Sequence, residues 1–283
     1  MLPRVDPVEP KADRRADDLH GEREGVEIGY DEAGTGPTLL LLHGAATPGA
    51  RTYDALLPRL TPSFRVVMPD ARGHGRTRWN VADGFEAGWL VDDALAFVDA
   101  LGVTGFHLGG YSMGGMTALE LATRIPTRLL SLVLISIVPD RQPRASVAAR
   151  LLDPDRVARD EPAWMGDMVR THDPVQGEGA WRDLLRAIAD DVMTQPLLTA
   201  ADLHGIDAPT LVICGDRDPL VPVVQAHALS RAVHDGRLLV APGAGHDVVH
   251  QRADVVGAGL AAFYRSTMPV ANHRAGALTE VPR

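Results

Sequence analysis

Ser112 lies at the centre of the segment Gly110-Tyr-Ser-Met-Gly114, with a glycine two residues before the hydroxyl and another two residues after it. A serine hydroxyl attacks a carbonyl at neutral pH only when a nearby base takes its proton and a third group holds that base. The G-x-S-x-G pattern is typical of a sharp turn from a strand into a helix, where small neighbours let two backbones pass closely. Because a chain with 28 glycines can produce this pattern by chance, the hypothesis of a nucleophile depends on finding its partners.

The first partner sought is a histidine in a loop after a strand, and few of the 11 histidines occupy such a place. His246 lies in a glycine-rich loop directly after the last apolar segment, and we expect it to be the base. His43 and His74 also follow apolar segments, so position alone does not exclude either of them as the base. The alternative for each of these side chains is a loop histidine that faces solvent or stabilises a turn.

The third group is expected to be a carboxylate at the end of another strand. Asp216 and Asp218 directly follow an apolar segment, and Asp140 is a third candidate. Acidic residues at such places also make Asx turns or cap the next helix, which is the structural alternative. Because the crevice of an open parallel sheet lies outside the carboxyl ends of its strands, we expect one of these aspartates to join Ser112 and His246 there.

Apolar segments that alternate with helical ones predict the scaffold that positions these side chains. An edge strand is expected over 26–30, and buried strands are expected over 38–42, 64–68, 105–109, 129–137, 209–214 and 237–241. Between them, apolar residues recur at helical intervals, for example over 85–101. The alternation predicts an α/β fold with a doubly wound, mostly parallel sheet and right-handed crossovers.

The pattern changes at about residue 139, where strand-like segments give way to helical ones until about residue 204. We therefore expect a helical insertion over 139–204 that interrupts one core formed by 23–138 and 205–268. Residues 1–22 alternate charge with proline and alanine and predict a mobile leader, and residues 269–283 predict a polar tail.

Composition and charge narrow the choice of partners. With 283 residues, 45% hydrophobic content and a net charge of -9, the chain can bury a large core but has no basic field for nucleic acid or an anionic membrane. Its single cysteine, Cys214, lies in an apolar segment and predicts packing. Without a signal segment or a long apolar run, we expect a cytoplasmic protein that acts on a small-molecule substrate as a monomer or homodimer. We expect no cofactor and no metal, since no metal-ligand spacing, phosphate loop or dinucleotide fingerprint stands out.

Several motifs together resemble the α/β-hydrolases over about residues 26–264, and their order of serine, aspartate and histidine is that of the family. The matching segments, in chain order, are His43-Gly44 for the oxyanion loop, Asp70-Ala-Arg-Gly-His-Gly75 for the Asp-x-Arg-Gly-x-Gly loop, Ser112 for the nucleophile, Gly215-Asp-Arg-Asp218 for the acid and Gly245-His246 for the base. The resemblance implies that Asp218, the second aspartate of its segment, is the third member of the triad in preference to Asp216.

The resemblance also implies an oxyanion hole built from main-chain N–H groups. One comes from the residue after the nucleophile, here Met113, and the other from the loop after His-Gly, here Ala45. Many relatives carry a second glycine in a His-Gly-x-Gly sequence, whereas this chain has Ala46 at that position. The alanine puts the conformation of this loop, and with it the role of Ala45, in question.

In this family the insertion forms a helical cap over the crevice, so the resemblance implies that it selects the substrate. The side chains that we expect to contact the substrate are His43, Tyr111, Trp164, Met168 and Trp181. For the tryptophans and the methionine, packing of the cap on the core is the alternative interpretation. For Tyr111, the alternative is packing under the serine turn.

These features predict a serine hydrolase of the capped esterase and lactonase type, which cleaves a carboxylic ester or lactone through an acyl-enzyme. A carbon-carbon bond hydrolase, a perhydrolase and a thioesterase use the same triad and remain alternatives. Asp247 follows the base where many ring-cleavage-product hydrolases carry tryptophan, which argues against that branch. Outside the enzymes, the alternative is a non-catalytic small-molecule receptor on the same fold.

Overall fold

The centre of the molecule is a seven-stranded, mostly parallel β-sheet. The structure, a computed structural model, describes residues 14–15, 26–80, 83–137, 139, 145, 150–194 and 197–267. A small antiparallel ladder joins β1 (Arg14–Arg15) to β2 (Glu27–Ile28). The strands of the large sheet are β3 (Tyr30–Ala33), β4 (Thr38–Leu42), β5 (Arg65–Pro69), β6 (Phe106–Tyr111), β7 (Leu129–Ile135), β8 (Thr210–Gly215) and β9 (Gly236–Ala241).

The strand order is β3-β5-β4-β6-β7-β8-β9, and every neighbouring pair is parallel except β3 with β5. This order confirms the mostly parallel sheet predicted from the sequence. The chain goes from β4 to one neighbour, β5, and then crosses back to the other neighbour, β6. The loops that follow β4 and β6 therefore lie side by side at the carboxyl edge of the sheet, where such folds bind ligands.

Helices cover both faces of the sheet, because the central strands are apolar on both sides. In β4, Leu40 and Leu42 belong to one buried cluster while Leu39 and Leu41 belong to the other. The helices are α1 (Gly49–Tyr53), α2 (Leu57–Leu60), α3 (Ala87–Ala100), α4 (Met113–Arg124), α5 (Pro154–Asp160), α6 (Pro162–Gln176), α7 (Ala180–Thr194), α8 (Ala200–His204), α9 (Val223–Ala232), α10 (Val248–Gln251) and α11 (Ala253–Thr267). Helices α3, α4 and α9 pack on one face and α1, α2 and α11 on the other, so the fold is doubly wound as predicted.

The chain between β7 and β8 contains α5 to α8, and we call its described residues, 150–194 and 197–204, the helical segment. Its buried side chains, Leu152, Val157, Met168, Trp181, Leu184, Leu185 and Ile188, form a cluster that also contains Ala46 of the loop after β4. The helical segment therefore packs directly on the loop that precedes α1.

Some of the predicted boundaries lie outside the described residues. Of the predicted leader, only Arg14 and Arg15 are described, and the predicted tail, 269–283, is not described at all. Asp140, the third candidate carboxylate, also lies outside the described residues. Within the part of the chain that is described, no helix combines the length and the apolar character needed to cross a bilayer.

Candidate active site

Ser112 occupies the single residue between β6 and α4. Its backbone has φ 51° and ψ -115°, in the left-handed half of conformational space that non-glycine residues rarely adopt. Such a conformation costs about 1–3 kcal/mol and persists only where its surroundings enforce it. The Ser112 N–H donates to the Ile135 carbonyl over 2.9 Å, which fastens the turn to the end of β7.

The two glycines of the G-x-S-x-G pattern are required by close backbone contacts. A Cβ on Gly110 would lie 2.2 Å from the Gly114 carbonyl oxygen, and a Cβ on Gly114 would lie 2.3 Å from the Leu42 carbonyl oxygen. Both distances are far below van der Waals contact. Both glycines are needed because the first turn of α4 packs directly against β6 and the end of β4.

Ser112, His246 and Asp218 form one chain of hydrogen bonds. His246 Nε2 lies 3.0 Å from Ser112 Oγ, and His246 Nδ1 lies 3.0 Å from Asp218 Oδ2. Because an ionised carboxylate can only accept, the proton of the neutral imidazole belongs on Nδ1. Nε2 is then left to accept the hydroxyl proton of Ser112. The structure brings together the three side chains singled out in the sequence.

Asp218 is fixed by a second set of hydrogen bonds on its other oxygen. Oδ1 accepts from the N–H groups of Leu220 and Val221 over 2.9 and 3.1 Å, and the side chain is completely buried. Asp216 instead accepts from the Gly243 N–H at an exposed position. The geometry therefore separates the two aspartates: Asp218 caps the following turn with one oxygen and holds His246 with the other.

Ser136 also supports His246, although no motif in the sequence marks it as a site residue. Its hydroxyl donates to the His246 carbonyl oxygen over 3.0 Å, and its backbone has a φ of 52°. The side chain is buried just beyond the end of β7. Its only signal in the sequence is a hydroxyl placed inside an apolar run at a strand end.

The loop after β4 and the start of α4 meet beside Ser112. The Gly114 N–H donates to the His43 carbonyl over 2.9 Å, and a Cβ on Gly44 would lie 3.5 Å from Ser112 Cβ. Met113 is the first residue of α4, so its N–H points out of the helix without an intrahelical acceptor. In the described part of the chain, neither this N–H nor that of Ala45 donates a hydrogen bond.

Ala46 adopts a φ of 64°, which answers the question raised by the missing second glycine. The loop follows the left-handed path that glycine takes without cost, and the alanine pays roughly 1–2 kcal/mol to follow it. The departure from the family sequence therefore adds strain at this position without removing the left-handed turn.

His43 holds the loop and has no ring nitrogen left for a substrate. Its Nε2 accepts from the Ala71 N–H over 2.7 Å, so its Nδ1 carries the proton and donates to the Gly44 carbonyl over 2.7 Å. The side chain is buried, and burial lowers the pKa of its imidazole, which keeps it neutral. Both nitrogens bind backbone and are not available to a substrate, but the ring borders the pocket beside the start of α4, so the predicted contact of His43 with substrate stays a prediction.

Two other predicted substrate contacts, Met168 and Trp181, lie inside the helical segment. They are 1% and 3% exposed, and the Arg182 guanidinium lies 4.6 Å from the centre of the Trp181 ring. They pack the helices together, so the alternative weighed in the sequence analysis replaces substrate contact for both. Trp164 is only partly buried at the edge of the same cluster, and its contact with substrate stays a prediction.

Tyr111 lies between the loop after β4 and His246. Its ring centre is 5.6 Å from that of His246, and a Cβ on Gly44 would lie 2.8 Å from the ring. Burial, followed by the negative charges of Asp247 and Asp218, raises the pKa of its phenol well above the usual value. Tyr111 is therefore a neutral packing surface for both loops, and its predicted contact with substrate remains untested.

One small pocket adjoins the start of α4. Its lining is mostly apolar and includes Leu42, Leu90, Phe97, Met113 and Thr117, but neither Ser112 nor His246. Among the described residues, no group of three or more His, Cys, Asp or Glu side chains is arranged to hold a metal ion. Cys214 is buried, and burial raises the pKa of its thiol to about 11.

Comparison with known proteins finds a matching family and similar proteins. The sequence pattern of the alpha/beta hydrolase family matches residues 39–258. A non-heme haloperoxidase from Rhodococcus erythropolis is 28% identical over 272 residues, which cover 86% of this chain and 97% of that protein.

Solved structures with the same fold include two enzymes that act on esters. A thermophilic esterase from Thermogutta terrifontis has a TM-score of 0.71 at 23% identity, covering 92% of this chain and 100% of that one. The enol-lactonase from Burkholderia xenovorans LB400 has a TM-score of 0.68 at 22% identity, covering 85% of this chain and 97% of that one. Sheet order, serine turn and family match agree: the chain belongs to the α/β hydrolase family.

Proposed function

We propose that this protein is a serine hydrolase that cleaves a small carboxylic ester or lactone through an acyl-enzyme. The observation that carries the proposal is the continuous chain of hydrogen bonds from Ser112 through His246 to the buried Asp218. A hydroxyl, a neutral imidazole with its free nitrogen toward that hydroxyl, and a carboxylate behind it are the parts that nucleophilic acyl transfer needs.

In the proposed reaction, Ser112 Oγ attacks the substrate carbonyl while His246 Nε2 takes the hydroxyl proton. The imidazolium then gives this proton to the leaving alkoxide, and Asp218 stabilises the positive charge throughout. Water, activated by the same histidine, attacks the acyl-enzyme and releases the acid. For a lactone the leaving alkoxide stays attached to the acyl group, so the product is a hydroxy acid.

The negative oxygen of each tetrahedral intermediate is proposed to bind the N–H groups of Met113 and Ala45. Support comes from their place beside Ser112 and from the lack of any other acceptor for these N–H groups in the described residues. Loss of one such donor costs about 3–4 kcal/mol of transition-state stabilisation. The two N–H groups would therefore contribute a large part of the rate.

The helical segment is proposed to act as the cap that covers the acyl group. It packs on Ala46 and, at its margin, on Ala45 and Met113, so it borders both proposed oxyanion donors. The apolar pocket beside Met113 favours a short apolar acyl chain. A series of p-nitrophenyl esters from acetate to octanoate would show this preference as a decline in kcat/KM with chain length.

The proposal is tested by labelling and by pre-steady-state kinetics. A fluorophosphonate should label wild-type protein once, at Ser112, and p-nitrophenyl acetate should release a burst of about one p-nitrophenolate per site before steady turnover. Ser112→Ala should lose both signals, whereas Ser266→Ala, on the far-removed last helix, should keep them. Folded protein that shows neither labelling nor hydrolysis across an ester and lactone panel would refute the proposal.

Perhydrolysis is the second candidate, favoured by similarity to a protein named as a non-heme haloperoxidase. The same acyl-enzyme would be intercepted by hydrogen peroxide, so that a carboxylic acid and peroxide yield a peracid and water. Acetate and peroxide would be mixed with the enzyme, and peracid formation measured against the Ser112→Ala variant. A peracid rate equal to that of the variant would exclude this activity.

A further inference from the structure

Three buried histidines pack against one another beside the loop that carries Ala45. The rings of His43 and His74 are 4.9 Å apart between centres, and those of His74 and His172 are 5.5 Å apart. His43 and His74 come from the loops after β4 and β5, whereas His172 comes from α6 of the helical segment. The three histidines therefore join the core of the molecule to the helices that pack over it.

Among the described residues, His172 makes hydrogen bonds only to backbone, and both partners belong to the core. Its Nδ1 accepts from the Gly75 N–H over 3.1 Å, so the proton of the neutral ring is on Nε2. This nitrogen lies 3.2 Å from the Ala46 carbonyl oxygen and donates to it. Because the ring is fully buried, burial lowers the pKa of His172 and keeps it in this neutral form.

Two histidines thus hold the two peptide groups on either side of Ala45 and Ala46. His43 holds the Gly44 carbonyl, which shares a rigid peptide plane with the Ala45 N–H. His172 holds the Ala46 carbonyl, in the next peptide but one. Ala46 itself is in the strained left-handed conformation, which a freed loop would leave.

We infer that His172 is a positioning residue for the oxyanion hole, acting from the helical segment through the Ala46 carbonyl to keep the Ala45 N–H directed at the reacting oxygen. The inference rests on the proposed function, because the direction of this N–H affects a rate only where a negative oxygen forms. It also gives α6 a role in the chemistry without any contact with substrate.

Other polar contacts of α6 provide a matched control. Gln176 donates to the Thr77 carbonyl over 2.8 Å and accepts from the Trp79 N–H over 3.0 Å, one helical turn beyond His172. Gln176 thus also ties α6 to the core, but neither of these two hydrogen bonds goes to the loop of Ala45. A merely structural role for His172 predicts that losing either side chain has the same kind of effect.

The experiment compares His172→Phe, His172→Gln and Gln176→Leu with wild type. Phenylalanine keeps the ring volume without its nitrogens, whereas glutamine offers an acceptor and a donor at a similar separation. For p-nitrophenyl acetate we expect His172→Phe to lower kcat by about 10- to 100-fold with KM changed less than about threefold, since displaced donors weaken the transition state more than the ground state. His172→Gln should recover most of kcat, and Gln176→Leu should lower Tm but not kcat.

A second measurement does not require turnover. Backbone amide relaxation in nitrogen-labelled protein should show the Ala45 and Ala46 amides ordered in wild type, His172→Gln and Gln176→Leu, and mobile in His172→Phe. If the wild type proves inactive and is not labelled at Ser112, the proposed function fails, yet this arm still decides whether His172 orders the loop. Equal order of these amides in all variants, or an active His172→Phe with unchanged kcat, would overturn the inference.

If His172→Phe does not fold, the remaining variants still decide the matter. His172→Gln then has to keep most of the wild-type kcat together with ordered Ala45 and Ala46 amides. A folded His172→Gln protein whose kcat falls while these amides stay ordered would contradict positioning through the loop.

Discussion

Replacing Asp218 by asparagine should invert the proton arrangement of His246 without changing the shape of the site. Asp218 Oδ1 accepts two main-chain N–H groups, from Leu220 and Val221. An asparagine in this place has to turn its amide oxygen toward those donors, because its NH₂ group cannot accept them. The NH₂ group then faces His246 Nδ1, which must become an acceptor, and the imidazole proton moves to Nε2, where it blocks proton transfer from Ser112.

The magnitude follows from the lost charge pair. During attack the imidazolium of His246 lies 3.0 Å from the Asp218 carboxylate, measured between Nδ1 and Oδ2. At an effective dielectric constant of about 20, two unit charges at this separation attract by about 5 kcal/mol. A barrier raised by this amount slows a reaction by roughly 10⁴-fold, the loss that the same substitution causes in serine proteases.

The assay is kcat for p-nitrophenyl acetate, with the rate of fluorophosphonate labelling as a readout of Ser112 reactivity alone. Asp216→Asn is the matched control, since Asp216 accepts from the Gly243 N–H at an exposed position. We expect Asp216→Asn to stay within about twofold of wild type and both proteins to keep a similar Tm. Asp218→Asn with more than a tenth of wild-type kcat, or an equal loss in Asp216→Asn, would refute the reasoning.

Three further outcomes test the packing beneath the site. Burial lowers the pKa of His107 to about 4, so below pH 6.5 the unfolded state binds a proton that the folded state does not. Between pH 6.5 and 4 the free energy of unfolding, from urea titrations, should therefore fall by about 3 kcal/mol more in wild type than in His107→Gln. Gly114→Ala places a Cβ 2.3 Å from the Leu42 carbonyl oxygen, so it should lower the free energy of unfolding by about 3 kcal/mol and remove most of the activity. In Gly88→Ala the added Cβ meets nothing within 4 Å, so this control should stabilise α3 by about 0.5–1 kcal/mol. Trp181→Ala should cost about 3–5 kcal/mol in the same titration, because the side chain is 3% exposed; a cost below about 1 kcal/mol would mean that it does not hold the helical segment together.

The strands of the sheet, and the loops that carry the residues of the site, could be predicted from the sequence. The consecutive leucines of the segment 38–42 are typical of a strand that is buried on both faces, and β4 has the predicted bounds, Thr38–Leu42. The loops after such strands meet at one edge of a parallel sheet, so Ser112, Asp218 and His246 could be placed together before their distances were known. Helix ends were less predictable: apolar residues recur at helical intervals over 85–101, whereas α3 itself begins at Ala87 and ends at Ala100.

Contacts between segments that are distant in the chain could not be predicted from sequence patterns. The hydrogen bond from His172 to Ala46 joins residues 126 positions apart, and helical spacing says nothing about what a histidine on α6 meets. The left-handed conformation of Ala46 was equally hidden, because alanine does not normally signal it. Met168 and Trp181 have the same apolar character whether they line a pocket or fill a core, and only their burial separated the two.

The covalent acyl-enzyme provides the most direct test of the central claim. Ser112 is the only serine between Trp79 and Arg124, so trypsin places it on one peptide, 79–124, whose mass reports the adduct. Wild-type protein quenched in acid during the p-nitrophenyl acetate burst should carry one acetyl group on this peptide, and fragmentation should assign it to Ser112. Ser112→Ala should carry none, and rapid ester hydrolysis with the acetyl group absent or on another residue would contradict the account.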